Sequence, residues 1–168
     1  MLMALGARVQ LTSTAGAREV ALEEFFTDYY ETVRQPDELV SGVIVPVPHP
    51  HSGSVYLKFL PRTADDYATV GVAAMVTIDP ATETCRDCRI AMGCVASTPV
   101  RAQEAEALVR GQRLTQAVAQ EAGALAQRVT DPISDARGSA EYKRAMAGVF
   151  VRRALEQAWQ RAATAASG

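Results

Sequence analysis

Three groups of side chains in this sequence have the types and spacing to do chemistry. Cys85-Arg86-Asp87-Cys88 is a C-x-x-C with Cys94 close behind it. A zinc or iron–sulfur site usually takes two such pairs, and the second pair is missing. Cys88 and Cys94 share the strand parity of Ile90 and Met92, which turns them inward, where a free thiol behaves as a small hydrophobe. A redox C-x-x-C belongs at the start of a helix, whose dipole lowers a thiol pKa; this one lies in a strand hairpin. The cysteines are therefore expected in the core of a protein from a reducing compartment. His49 and His51 lie in Val47-Pro48-His49-Pro50-His51-Ser52-Gly53, with no carboxylate or thiol nearby. A solvated proline-rich linker is expected, and no other histidine is available as the base of a Ser-His-Asp hydrolase. No metal ligands are assigned, and a small cysteine-ligated metal protein would need donors that this pattern does not supply.

The third group is Tyr56-Leu57-Lys58-Phe59-Leu60-Pro61-Arg62-Thr63-Ala64-Asp65-Asp66-Tyr67-Ala68. Val55, Leu57 and Phe59 form an apolar strand face, so Tyr56 and Lys58 sit side by side on the opposite one. Arg62, Asp65, Asp66 and Tyr67 follow within one short connection. The residues alone leave two readings open. One is a solvated strand edge with a surface ion pair worth at most about 1 kcal/mol; the other is a binding face combining a cation with aromatic rings.

The elements that must carry these residues fall into three zones. In the first, to about Pro50, Val9 and Leu11 alternate with polar neighbours as a strand, and a return strand runs through Val20. Glu23 to Tyr30 reads as a short helix with Phe25 and Phe26. Leu39 to Val45 is extended and stops at Pro46, Pro48 and Pro50. The second zone, Ser54 to Ala96, reads as three strands, with Val70, Val72, Ala74, Val76 and Ile78 inward on the middle one. The last two strands form a hairpin through Asp79-Pro80-Ala81-Thr82. The third zone is helical. One helix begins at Thr98-Pro99 and ends near Gly111; a second follows Thr115 and is broken by Asp131-Pro132; a third starts near Ser139 with Met146, Val149, Phe150 and Ala154 on one stripe. Strands followed by helices predict an α+β fold.

Composition narrows the function. The chain has 168 residues, 48% hydrophobic and 21% charged, and a net charge of −2. Without a basic surface or many aromatic residues, nucleic-acid binding is not expected. No apolar run approaches bilayer length, and the start of the sequence lacks the basic segment of a secretory signal, so no membrane span and a cytoplasmic location are expected. Glycine forms no G-x-G-x-x-G or P-loop, so this sequence offers no phosphate cradle of its own.

The segment from Tyr56 to Ala68 resembles the Y-x-K-x-x-x-R-x-x-x-D-x-A signature of the FAD-binding medium subunit of molybdenum hydroxylases. Aerobic carbon monoxide dehydrogenase and the flavin domain of xanthine dehydrogenase belong to that family. Other pieces agree in order: Gly16-Ala17-Arg18-Glu19-Val20-Ala21-Leu22 through Phe25-Phe26, Pro36-Asp37-Glu38-Leu39-Val40 through Ile44-Val45-Pro46, Thr98-Pro99-Val100-Arg101-Ala102, and Arg137-Gly138-Ser139 through Tyr142-Lys143-Arg144. The resemblance implies that residues 1–50 are the C-terminal part of an FAD-binding domain. It makes residues 54–160 the C-terminal domain of the medium subunit, in which a three-stranded antiparallel sheet packs with three helices, and 161–168 a frayed tail. It implies an oxidoreductase component that passes electrons from iron–sulfur clusters through FAD to an external acceptor. A large molybdenum-cofactor subunit, a small iron–sulfur subunit and a separate N-terminal FAD-binding half are the implied partners. By motif position, Lys58 and Arg62 lie at the isoalloxazine ring, Tyr67 shields it, Val40 lies under it, and Asp65 and Asp66 hold Arg62. The alternative is a flavin-free assembly module binding the other hydroxylase subunits.

Overall fold

The computed structural model describes residues 1–60 and 67–166. The alternating pattern at the start becomes β1 (Arg8–Ser13), paired antiparallel with β2 (Gly16–Ala21) on one side and β5 (Leu39–Ile44) on the other. Val9 and Leu11 are buried with Phe25 in a small core of their own. The expected helix from Glu23 to Tyr30 is only one turn, α1 (Leu22–Phe25). Thr27, Tyr29 and Tyr30 favour extended backbone, and Asp28 takes the Tyr29 N–H on its own carboxylate at 2.8 Å. The chain therefore turns at Tyr30 (φ 57°) and makes the small hairpin β3 (Phe26–Asp28) and β4 (Glu31–Thr32).

The main sheet runs β6 (Ser52–Phe59), β7 (Val70–Asp79), β8 (Thr84–Gly93), β9 (Val100–Arg101), antiparallel throughout. Val55, Val70, Val72, Ala74, Val76, Ile78, Ile90 and Met92 form its inner face. Over this face lie α2 (Gln103–Val109), α3 (Gln116–Gln127) and α4 (Ala140–Ala166), giving the α+β architecture expected. The centre of the sheet is buried on both sides: Met3 and Ala4, with Leu22, cover Ala73 on β7 and Ala91 on β8 on its outer face. The first zone thus packs directly on the sheet of the second.

Local chemistry explains where the elements begin and end. Thr115 Oγ1 accepts the Val118 N–H at 3.2 Å and caps α3, and Ser139 Oγ accepts the Tyr142 N–H at 3.1 Å at the start of α4. Thr98-Pro99 does not open a helix. Val100 and Arg101 instead pair with Met92 and Ala91, and the Ala102 N–H reaches Ile90 O at 3.0 Å before α2 begins. Completing the sheet edge outweighs the local start signal. Two close approaches require glycine. A Cβ on Gly53 would strike the backbone of Ala158 and Ala162, so β6 lies directly against α4; one on Gly123 would lie 2.6 Å from Gly148 O, where α3 meets α4. Residues 161–166, expected to fray, continue α4 because Ala162 is fully buried in the core.

The cysteines are placed differently from their simple parity. A bulge opposite Thr77 and Ile78 inserts one extra residue into β8, so Cys85 and Cys88 are both buried. Cys94 lies past the end of β8 with φ 64° and is exposed rather than inward. In the proline-rich connection His49 is exposed, while His51 (φ 64°) is partly buried and its carbonyl accepts the Ile78 N–H at 3.0 Å. No helix among the described residues is long and apolar enough to cross a membrane.

Candidate functional site

The outer face of the main sheet carries the most distinctive geometry. Lys58 on β6 pairs with Gly71 on β7, and Gly71 pairs with Gly93 on β8. Beside the lysine, therefore, two successive strands present bare backbone. The Tyr56 hydroxyl lies across this floor: a Cβ on Gly71 would come within 2.6 Å of it. An open pocket of about 310 Å³ lies over these residues, lined by Tyr56, Gly71 and Gly93 with Leu2, Phe26 and Pro99. Its lining side chains are apolar apart from the phenol. A planar, largely apolar group with an anionic edge fits this arrangement: a floor of bare backbone, an aromatic wall, and Lys58 next to Gly71 in register on the same face.

Tyr67 is two-thirds exposed, with the Arg137 guanidinium carbon 5.3 Å from its ring centroid. Val40 lies on the other sheet, opposite Leu11, where it is half exposed on the edge strand β5 together with Leu39, Val43 and Ile44. The described structure thus brings Lys58 together with Tyr56 and the paired glycines, and places Val40 on a separate sheet. Arg62, Asp65 and Asp66 lie outside the described residues.

Charged side chains fix the segments around this face. Glu38 accepts both Arg18 Nε (2.6 Å) and Arg18 NH2 (2.9 Å) and the Gln35 N–H (2.7 Å), while Arg34 donates to Glu38 O at 2.8 Å. The Arg18 guanidinium, followed by the Gln35 N–H, pushes the Glu38 carboxyl down to about 2. This clamp sets the entry to β5 and so the position of Val40. A depressed carboxyl stabilises the fold above its unfolded pKa of about 4.3 and loses that contribution as pH falls through its folded value. Urea midpoints for the parent and Glu38→Gln are therefore expected to differ at pH 6 and to converge between pH 4.5 and 2. A constant difference across that window would remove the clamp as its cause.

Two buried charges were not legible as such. Glu106, 1% exposed, accepts Ile90 N (2.8 Å), Arg101 Nε (2.8 Å), Arg101 NH2 (2.5 Å) and Arg110 NH2 (3.2 Å), and Arg101 also donates to Glu23 at 2.5 Å. Lys143, 4% exposed, donates to Ile133 O at 2.8 Å and pairs with Asp135 at 2.7 Å. The available signal was a charged residue at a core-spaced helical position: Glu106 among Ala102, Ala105 and Val109, and Lys143 one turn before Ala147. The Cys88 thiol is pushed well up by its hydrogen bond with Cys85 and by burial, which removes it from thiolate chemistry near neutral pH. Among the described residues no cluster of three or more His, Cys, Asp or Glu could hold a metal ion.

Comparison with known proteins gives this geometry a family. The family described as CO dehydrogenase flavoprotein C-terminal domain matches residues 55–158, and FAD binding domain in molybdopterin dehydrogenase matches residues 1–48. The chain is 40% identical to the carbon monoxide dehydrogenase medium chain of Afipia carboxidovorans, over 96% of this chain and 55% of that one. It is 32% identical to the glyceraldehyde dehydrogenase medium chain of Sulfolobus acidocaldarius, over 94% and 54%. The chain thus spans about half the length of the curated relatives it matches. The fold superimposes on a reconstituted CO dehydrogenase from Oligotropha carboxidovorans with a TM-score of 0.88 at 39% identity, covering 95% of this chain and 55% of that one. For quinoline 2-oxidoreductase from Pseudomonas putida the TM-score is 0.84 at 28% identity, covering 96% and 55%. On the match across its whole main sheet and helical layer, this chain belongs to the CO dehydrogenase flavoprotein family.

Proposed function

We propose that this chain forms one wall of the flavin site in the FAD-carrying medium subunit of a molybdenum hydroxylase. The observation that carries the reading is the row Lys58–Gly71–Gly93 beside Tyr56, in which a lysine on the outer face is followed across the sheet by two strands of bare backbone. When bound, FAD supplies the redox chemistry, taking electrons from iron–sulfur clusters and passing them to an external acceptor. Lys58 holds positive charge at the edge of the floor, which favours whichever state of a neighbouring group carries more negative charge. Tyr56 walls the pocket, and Tyr67 covers the ring and controls how an acceptor approaches. Val40 supplies an apolar contact from the other sheet, and by motif position Arg62 lies at the ring with Asp65 and Asp66 holding it.

In this reading residues 1–50 complete an FAD-binding domain and 54–160 form the C-terminal domain of the medium subunit. No glycine-rich phosphate cradle occurs in the sequence, so the pyrophosphate is held by an N-terminal FAD-binding half, in the same or another polypeptide. A large subunit with the molybdenum cofactor and a small iron–sulfur subunit complete the assembly, working in the cytoplasm. The test is a visible absorption spectrum of the chain isolated with its native partners, each identified by mass. A flavin band accompanied by large and small subunits is the expected result. Colourless protein bound to the same partners would overturn the flavin role in favour of a flavin-free assembly module.

A further inference from the structure

The motif Arg137-Gly138-Ser139 through Tyr142-Lys143 has no part in the floor described above, yet its residues contact Tyr67 and Phe59. The Arg137 guanidinium stands over the Tyr67 ring at 5.3 Å, within cation–π range. The turn that presents it is heavily determined. Asp135 and Gly138 exchange backbone hydrogen bonds of 3.1 Å in each direction, and Asp135 Oδ1 accepts the Arg137 N–H at 2.8 Å. Asp135 Oδ2 is held at 2.7 Å by Lys143, a buried ammonium that also donates to Ile133 O. Gly138 adopts φ 142°, and a Cβ there would come within 2.8 Å of the Tyr142 ring. Tyr142 in turn packs on Phe59, the neighbour of Lys58, with ring centroids 6.3 Å apart. The turn therefore carries Arg137 to Tyr67 and is fixed by Lys143 to α4, whose Tyr142 packs on Phe59.

We infer that Arg137 is a positioning residue for Tyr67, set by the Asp135–Lys143 pair, and that this bracket determines how the Tyr67 ring is presented. This inference deepens the proposed flavin reading and rests on it for its consequence, though its geometry stands without a cofactor. Tyr67 is largely exposed, and the guanidinium over its ring restrains how that ring is oriented. An exposed cation–π pair shifts such a rotamer population roughly 2- to 5-fold. Lys143 acts through Asp135, so its loss releases the turn without removing any group that touches Tyr67.

The test labels tyrosine with fluorine in the full chain and identifies the Tyr67 signal by its loss in Tyr67→Phe. Arg137→Gln is expected to move that signal toward the free-tyrosine position, Arg137→Lys to restore it in part, and Lys143→Met to move it in the same direction as Arg137→Gln. Ring-current shifts of the Arg137 side-chain protons, lost in Tyr67→Leu and kept in Tyr67→Phe, give the reciprocal reading should Arg137→Gln fail to fold. An unmoved Tyr67 signal in folded Arg137→Gln, or unshifted Arg137 protons in the parent, overturns the positioning role. A second arm addresses the flavin-loaded complex, where iodide quenching of flavin fluorescence is expected to rise roughly 2- to 5-fold in Arg137→Gln, following the rotamer shift. Released Tyr67 with unchanged quenching would leave Arg137 as its positioning residue and overturn the shielding assigned to Tyr67, so the two failures are separable.

Discussion

Glu106→Ala is expected to lose about 3–5 kcal/mol of stability, the cost of stripping one partner from a buried ion pair. The carboxylate takes donors from three directions: the β8 backbone at Ile90, Arg101 through two nitrogens, and Arg110. Removing it leaves the Ile90 N–H without an acceptor inside the core and a largely buried guanidinium with only Glu23 as partner. For a chain of 168 residues the melting temperature is expected to fall by roughly 2–4 °C per kcal/mol. Glu106→Gln does not rescue it, because the amide turns an N–H₂ toward Arg101 where a second oxygen is needed. The double variant Arg101→Met with Glu106→Leu is the informative partner. It removes both charges and leaves only the Ile90 N–H unpaired, so its loss is expected to fall to about 1–3 kcal/mol. Thermal unfolding of the three proteins decides the matter. A double variant as unstable as Glu106→Ala would mean that the hydrogen bond to β8, rather than the uncompensated charge, dominates.

This network also joins the two parts of the chain. Arg101 belongs to β9, Glu106 to α2, and Glu23 to the one-turn helix of the first zone. A single guanidinium therefore sets the first zone against the sheet that carries Lys58, alongside the apolar contact of Met3, Ala4 and Leu22 with Ala73 and Ala91. Stability at Glu106 and the geometry of the candidate site are thus linked through the first zone, whose Phe26 and Leu2 wall the pocket with Tyr56 and Gly71.

Much of this was legible where the period of the apolar residues was unambiguous. Val70, Val72, Ala74, Val76 and Ile78 specify a core strand, and Thr115 and Ser139 mark helix starts through hydroxyl caps the structure shows being used. Some misreadings arose where local preference was outweighed by a partner distant in sequence. Thr98-Pro99 has the chemistry of a helix start, but Val100 and Arg101 found a free edge on β8. Cys94 has inward parity only if β8 continues through it, but the strand ends at Gly93 and Cys94 turns out with φ 64°, while a bulge at the other end of β8 gives Cys85 an inward place. The site was legible in part. Strand alternation places Tyr56 and Lys58 together, whereas the glycine row beside them depends on pairing register, which no single segment encodes. Glu106 and Lys143 stood at core-spaced positions, but their partners, Ile90 N and Asp135, are set by tertiary structure.

Lys58→Ala is expected to lower the two-electron midpoint potential of the flavin in the complete, flavin-loaded subunit. Lys58 neighbours Gly71 and Gly93 in register on the same sheet face, so in the proposed site its charge favours the reduced cofactor, whose ring edge carries more negative charge. Two unit charges about 4 Å apart interact by about 4 kcal/mol near a protein surface and by about 1 kcal/mol in bulk water. Lys58 is exposed, so a screened contribution of roughly 1.4–2.8 kcal/mol corresponds to a fall of roughly 30–60 mV. Lys58→Arg keeps the charge and is expected to retain most of the potential. Gly71→Ala separates charge from shape: its methyl group enters the floor beneath the Tyr56 hydroxyl, a flexible side-chain end that can swing aside. It is therefore expected to weaken flavin retention while leaving the unfolding midpoint nearly unchanged. A redox titration of the bound flavin, paired with its dissociation constant, reads both effects. A parental potential in Lys58→Ala would remove the electrostatic role of the lysine, and parental flavin affinity in Gly71→Ala would place the ring away from this floor.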